Sequence, residues 1–213
     1  MGLLINCPPA AEIADIPIEA CPESVGQIQK IVFQRIESVA GTKNEHVIGT
    51  LDPATKAAWT PLLAASDGTK VVQTPYVQAP TTEPGAARTF GGGNETLGGI
   101  EIIIGTEPTA FTGMFNQVPQ KTIKAIKKYY GEAVGVYFVD EFGRIIGKSD
   151  DSAAPTKFMP IPIMGLFVGD KNFGGLEGVD QNAINFKMLP NWSDDLHIVT
   201  PTDFNALTDL VTP

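Results

Sequence analysis

Few residues of this chain have the types and spacing that could support catalysis. His46 and His197 are the only imidazoles, and neither belongs to a His-Glu-x-x-His or His-x-His pattern that would bind a catalytic metal. No Gly-x-Ser-x-Gly nucleophile elbow occurs. The glycines at 91–93 are followed by Asn94 instead of a lysine and lead into a predicted strand, so they do not form a phosphate-binding loop. We therefore predict that the protein is not an enzyme and that it uses no cofactor.

One segment has part of the pattern of a calcium-binding loop. Asp170, Asn172 and Gly175 fall at the first, third and sixth positions of an EF-hand loop. Position twelve is Gln181 instead of the bidentate glutamate, and no helices are predicted on either side. We predict a hairpin loop between two strands, with a weak cation site as the alternative. The candidate ligands of that site are Asp170, Asn172, Glu177 and Asp180.

A third group of residues allows a carbohydrate site. Asp194 and Asp195 follow Trp192 closely, and an aromatic side chain beside carboxylates is one arrangement that binds sugars. The same combination is common in ordinary turns. A carbohydrate-binding β-module is therefore kept as an alternative function.

The composition limits the class of protein. A chain of 213 residues fits one domain, and its 18% charged residues fall below the roughly 25% of an ordinary soluble domain. Such a low charged share suggests that part of the outer surface is covered in an assembly. The net charge of −9 disfavours nucleic-acid binding, although it suits a surface past which DNA slides. No apolar run approaches 18 residues, so we predict no membrane-spanning helix.

The segment at residues 79–99 is the strongest functional signal. It is rich in Gly, Pro and Thr, and it lies between two predicted strands. Structureless loops longer than about 12–15 residues are uncommon in compact domains and usually have a function. Because the segment has few titratable groups, we predict a long loop that contacts a neighbouring molecule. The predicted contact residues are Pro80, Thr81, Glu83, Arg88, Phe90, Gly92, Asn94 and Glu95.

Hydrophobic periodicity predicts the elements that must position this loop. Prolines in residues 1–27 predict an extended N-terminal arm, and residues 28–213 a single β-rich domain. The region 119–130 predicts an amphipathic helix with lysines on its polar face. Minor helices are predicted at 54–65 and 202–210. Predicted strands cover 27–36, 70–77, 100–104, 109–115, 134–139, 144–148, 158–168, 183–189 and 196–199.

These elements predict a mainly β fold of the α+β type. Most connections between strands are turns, which favour antiparallel pairing. The expected architecture is an antiparallel β-sandwich or barrel with one packed helix.

The order of elements resembles that of bacteriophage tail tube (major tail) proteins and of the related inner-tube proteins of contractile injection systems. The segments that carry the resemblance are 70–77, 79–99, 100–115, 119–130, 134–148 and 158–189. The resemblance implies a homo-oligomer in which six subunits join their sheets around a lumen, and rings stack into a tube. It implies other tail proteins as partners, no membrane, and DNA passing through an acidic lumen without specific binding. It also implies location in the virion tail after assembly in the host cytoplasm.

Strand physics makes such an assembly reasonable. Unpaired strand edges invite pairing with another chain, and a closed ring removes them. Another phage structural protein, such as a capsid decoration protein, head fibre or tail connector, remains an alternative to the tube protein.

Overall fold

The computed structural model describes residues 23–211, together with Asp15, Ile16 and Ile18. Most of the predicted arm lies outside the described residues. In the described part the helices are α1 (Lys56–Ala64), α2 (Gln120–Lys127) and α3 (Ala206–Asp209). The strands are β1 (Ile28–Arg35), β2 (Glu37–Val39), β3 (Thr42–Lys43), β4 (His46–Val47), β5 (Val71–Gln73), β6 (Gln78–Glu83), β7 (Ala87–Gly91), β8 (Glu101–Thr106), β9 (Thr109–Asn116), β10 (Val134–Asp140), β11 (Ile145–Ser149), β12 (Lys157–Met159), β13 (Ile161–Val168), β14 (Gln181–Met188) and β15 (Leu196–Val199).

The prediction of a mainly β, antiparallel fold is confirmed. Eleven strands form one sheet, along the order β4-β12-β11-β10-β13-β14-β9-β6, with β1 beside β10, β5 beside β1, and β15 beside β11. We call β6, β9, β14 and β13 the front layer, and β5, β1, β10, β11 and β15 the back layer. The two layers face each other as a sandwich. The sheet does not close into a barrel, because β6 pairs only with β9.

Strand β13 joins the two layers. Ile161 pairs with Val136 of β10 in the back layer, whereas Ile163 pairs with Met188 of β14 in the front layer. The core between the layers is aromatic at its centre, where the ring of Phe111 lies 4.7 Å from that of Phe186. This packing fixes the front layer on the back layer.

A second core lies behind the back layer. Trp59 of α1 packs there against Tyr137 of β10, with ring centroids 5.2 Å apart, and α3 contributes Ala206. The back layer is thus covered on both faces, and every residue of β10 is buried. The front layer is covered on one face only, since alternate residues of β9 are buried and half-buried or exposed. One broad sheet face is therefore left open.

Helix α2 closes one end of the sandwich. Ile123 and Ile126 enter the core between the layers, while its lysines remain outside. Pro119 precedes the first turn, and Gly131 follows the last turn with a positive φ of 76°. The predicted helix at 119–130 is confirmed as α2, which has eight residues. The minor helices predicted at 54–65 and 202–210 correspond to α1, which is longer at nine residues, and to α3, which has four.

The prediction of a structureless loop at 79–99 is wrong. Its first residues belong to β6, which pairs with β9, and residues of β7 pair with β8 in a hairpin. Composition misled the prediction because Pro80 is tolerated at a sheet edge and threonine favours strands. The edge also tolerates a bulge between Gln78 and Thr81, where Ala79 has a φ of 47°.

None of the helices in the described part has the length and apolar character that a bilayer crossing requires.

Candidate assembly surfaces

A hairpin built from β7 and β8 extends away from the sandwich. Its strands form their own two-stranded sheet, paired from Ala87 and Thr106 to Gly91 and Glu101. No residue from Gln78 to Pro108 is buried. At the base, the Glu107 amide donates to the Ala86 carbonyl at 2.9 Å. We call residues 84–108 the projecting hairpin.

The projecting hairpin exposes apolar side chains on both faces. Phe90 pairs with Ile102, and Ile103 lies on the opposite face beside Thr89. The exposed fractions are 55% for Phe90, 47% for Ile102 and 69% for Ile103. An isolated two-stranded hairpin is marginally stable in water. A hairpin that is apolar on both faces and covered on neither is therefore suited to burial against another molecule.

Side-chain hydrogen bonds organise the tip of the hairpin. The Thr96 hydroxyl donates to the Ile100 carbonyl at 2.6 Å and accepts from the Gly92 amide at 3.1 Å. The Glu95 amide donates to the Gly92 carbonyl at 3.2 Å. Gly92 has a φ of 102°, a conformation that favours glycine. The tip thus has a defined shape before it meets any partner.

The front layer ends in the open edge of β6. Thr81 pairs with Thr112 of β9, and their hydroxyl oxygens are 2.6 Å apart. Among the described residues, no strand pairs with the other side of β6. Such an edge is a template for a strand of another chain. Pro80 removes one donor and makes this edge less prone to random pairing.

The predicted contact residues do not form one loop surface. Instead they divide among the β6 edge and two parts of the projecting hairpin. The β6 edge holds Pro80, Thr81 and Glu83, strand β7 holds Arg88 and Phe90, and the hairpin tip holds Gly92, Asn94 and Glu95.

Sequence reasoning missed the apolar residues of β8. Ile102, Ile103 and Ile104 were read as an ordinary strand, yet all three are exposed. A signal was available. Neighbouring residues in a strand point to opposite faces, so three consecutive isoleucines imply apolar character on both faces.

The segment at 169–180 is the predicted hairpin loop, and it connects β13 with β14. The Lys127 ammonium donates to Asp170 at 2.7 Å, and Lys171 lies 3.9 Å from Asp180. Lys127 lowers the pKa of Asp170, mainly through this hydrogen bond and to a smaller extent through its positive charge. The cation hypothesis gains no support, since the described residues contain no group of three or more His, Cys, Asp or Glu arranged to hold a metal.

The remaining candidate ligands have other roles. Asn172 exchanges backbone hydrogen bonds with Gln181, and Glu177 is exposed. The prominent feature of this loop is apolar instead. Phe173 is 79% exposed and Leu176 is fully exposed at the tip.

The projecting hairpin and the β13–β14 loop leave the front layer at opposite ends. The hairpin leads into Thr109, which pairs with Met188 at the end of β14. The loop leads into Gln181, which pairs with Asn116 at the end of β9. Helix α2 follows Asn116 and so lies at the loop end. We call these the hairpin end and the α2 end.

The group around Trp192 does not form an open sugar platform. Trp192 is half-buried and lines an apolar cavity of about 280 Å³ at the hairpin end, with Phe111 and Phe138. The Asp195 carboxylate lies 3.5 Å from the Lys148 ammonium. The tryptophan therefore serves the core, and one of the two carboxylates is already paired.

Two buried ionisable groups lie away from these surfaces. Burial lowers the pKa of Lys30, whose ammonium donates to the Leu207 carbonyl at 2.7 Å and so links β1 to α3. Burial also lowers the pKa of His46 to about 4, because its ring lies 4.5 Å from that of Trp59. His197 is half-buried in β15. His46 and His197 both pack against the ring of Phe158, whereas Lys30 bonds to Gln73 and to the Leu207 carbonyl.

Comparison with known protein families, curated proteins and solved structures finds no match. Function is therefore inferred from the β6 edge, the projecting hairpin and the open face of the front layer. Their chemistry is that of strand pairing, apolar contact and charge.

Proposed function

We propose that this protein is a structural subunit that assembles with copies of itself into rings, and that the rings stack into a tube of the bacteriophage tail type. The observation that carries the proposal is the projecting hairpin. Phe90, Ile102 and Ile103 are exposed on its two faces. A hairpin of this kind is stabilised when a second copy covers it.

The open edge of β6 supports the ring. In the proposal, a strand of a neighbouring copy pairs with this edge, and the front layers join around a central channel. Closure of the ring removes exposed edges. The protein then resides in the virion tail after assembly in the host cytoplasm, with other tail proteins at the ends of the tube.

The open face of the front layer is the proposed channel lining. Its charges are few, chiefly Glu83 of β6 and Lys187 of β14. This replaces the acidic lumen expected from the sequence with a nearly neutral one. Amides, hydroxyls and small side chains offer DNA phosphates no array of cations, so DNA passes without specific binding. The outward residues of β9 and β14 are Ala110, Thr112, Met114, Asn116, Gln181, Ala183, Asn185 and Lys187.

The experiment that tests the proposal replaces residues 87–106 with a Gly-Ser-Gly-Ser linker. Residues of β6 are retained because they belong to the main sheet. Negative-stain microscopy of the wild-type protein is expected to give rings and stacked tubes. The variant is expected to keep the circular dichroism spectrum of the wild type and to form no tubes. A wild-type protein that stays monomeric, or a variant that stacks normally, contradicts the proposal.

A point substitution tests the hairpin without removing it. A Cβ atom at Gly85 would lie 1.8 Å from the Glu107 backbone carbonyl oxygen, so Gly85→Ala must displace the hairpin base. Gly105 in β8 has no atom within 4 Å of the equivalent position and serves as the matched control. We expect Gly85→Ala to abolish sedimentation of tubes and Gly105→Ala to preserve it. Equal sedimentation of the two variants would show that hairpin direction is unimportant.

A further inference from the structure

We infer that the projecting hairpin of one copy docks on the α2 end of the next copy, where a stripe of lysines and an exposed aromatic pair receive it. This inference rests on the proposed function and names the surface that the hairpin contacts. The receiving surface consists of Lys121, Lys124, Lys128, Tyr130 and Phe167.

The subunit is polar, because the projecting hairpin and α2 lie at its opposite ends. The register of β9 with β14 places the hairpin and α2 at opposite ends of the front layer, as Thr109 pairs with Met188 and Asn116 with Gln181. The hairpin therefore leaves the front layer at the end opposite the α2 of its own chain. When copies stack head to tail, the hairpin of one copy meets the α2 end of the next. A head-to-tail contact that does not close on itself produces a filament.

The projecting hairpin carries a net negative charge. The projecting hairpin contains Glu95, Glu101 and Glu107 against a single cation, Arg88, so its net charge is −2. Arg88 lies 3.7 Å from Glu107. Glu95 and Glu101 are exposed and belong to no ion pair among the described residues. The hairpin thus offers two free carboxylates beside its apolar strip.

Helix α2 carries the complementary charge, whereas the β13–β14 loop at the same end adds Asp170 and Asp180, which are paired with lysines, and Glu177, which is exposed. Residues 117–131 contain four lysines and no acidic residue. Lys127 is paired with Asp170, whereas Lys121, Lys124 and Lys128 are exposed. The three exposed lysines are spaced by three and then four residues, which places them along one side of the helix. Opposite charges on two surfaces that meet guide the register of the contact and suppress other pairings.

Both the α2 end and the projecting hairpin expose apolar side chains. Tyr130, which follows the last turn of α2, stacks on Phe167 with ring centroids 6.1 Å apart, and its hydroxyl donates to the Val168 carbonyl at 2.6 Å. Both rings remain substantially exposed. Phe90 and Ile102 form the matching apolar strip on the hairpin. An apolar centre with a charged rim is the usual anatomy of a protein interface.

The hairpin is long enough for this contact. Strand β8 has six residues, which span about 20 Å at the rise of an extended strand. The tip beyond β8 adds to that length. A projection of about 20 Å approaches the height of the front layer itself, whose strand β9 has eight residues and spans about 26 Å. The hairpin can therefore overlap the α2 end of a stacked neighbour.

The experiment exchanges the charges. Lys121→Glu/Lys124→Glu places like charges opposite the hairpin, and Glu95→Lys/Glu101→Lys does the same from the other side. Each double variant is expected to reduce sedimenting tubes about tenfold at low salt, because like charges across an interface repel. The variant that carries all four changes restores opposite charges and is expected to recover tube formation.

A matched control separates this contact from net charge. Lys43→Glu/Lys70→Glu makes the same change in net charge on residues outside both surfaces and is expected to leave tubes intact. Thermal unfolding and circular dichroism confirm that each variant is folded. Tubes that form normally in both double variants, or a fourfold variant that recovers nothing, overturn the docking inference. The proposed function fails separately, when the wild-type protein forms neither rings nor tubes.

Discussion

Asp140→Ala is expected to lower the free energy of unfolding by about 3 kcal/mol or more, since it breaks a buried ion pair. The carboxylate is fully buried and lies 2.6 Å from the Arg144 guanidinium. It also accepts from the backbone amides of Phe142 at 3.0 Å and Arg144 at 2.9 Å. Removing it leaves a half-buried cation and unpaired amides, each of which is costly.

The same ion pair holds the segment that precedes β1. The Arg144 guanidinium donates to the Ser24 carbonyl at 3.0 Å, and the Gly26 amide donates to Asp140 at 3.4 Å. We therefore expect Asp140→Ala to increase proteolysis near residues 23–27 as well. Urea unfolding of this variant and of a control variant measures the loss of stability. Glu132→Ala is the control, because its ion pair with Arg35 is exposed and worth at most about 1 kcal/mol. A loss for Asp140→Ala no larger than that of the control would contradict the prediction.

Acid is expected to destabilise the fold by about 3 kcal/mol through His46 alone, because the folded state disfavours protonation of its buried imidazole. Burial lowers the pKa of His46 in the folded state from 6.5 to about 4. Its Nε2 atom has no hydrogen-bond partner, and Trp59 and Phe158 pack around the ring. The unfolded chain therefore binds the proton more readily than the folded chain. This contribution to stability is complete above pH 6.5 and is lost as the pH falls toward 4.

Unfolding in guanidinium chloride at pH 7, 5.5 and 4.5 measures this effect. His46→Leu is expected to flatten the dependence of stability on pH, whatever the substitution costs in packing at pH 7. Ile145→Val, a change in the same core that removes no titratable group, serves as the control and is expected to retain the wild-type dependence. If His46→Leu and the wild type lose stability in parallel below pH 6.5, the buried imidazole is not the cause.

Strong periodicity allowed much of the fold to be predicted. The alternation in β9 and β14 reflects one buried and one open face, so both strands were found near their observed bounds. Helix α2 was found because Pro119 and Gly131 mark its ends and its lysines share one side. These elements express their environment locally, in the spacing of apolar residues.

The candidate site was predicted less well, for a physical reason. A strand at a sheet edge needs little apolar alternation, so β6 with Pro80 and two threonines had the composition of a loop. Strand β7 forms no part of the main core and carries no burial pattern at all. The functional importance of this segment was inferred from its length, but its conformation depends on pairing with distant residues of β8 and β9. Register of that kind is a tertiary property.

In the proposed tube, the projecting hairpin and α2 lie at opposite ends of each subunit, so every added copy leaves the same two surfaces uncovered at the two ends of the polymer. One terminus retains an uncovered projecting hairpin, which is acidic and rich in isoleucine. The other terminus retains an unoccupied α2 end, with its exposed lysines and aromatic rings. The two termini of the proposed tube are therefore chemically different. A protein that starts the proposed tube by providing a surface like the α2 end cannot also end it. A single kind of capping protein cannot close both ends.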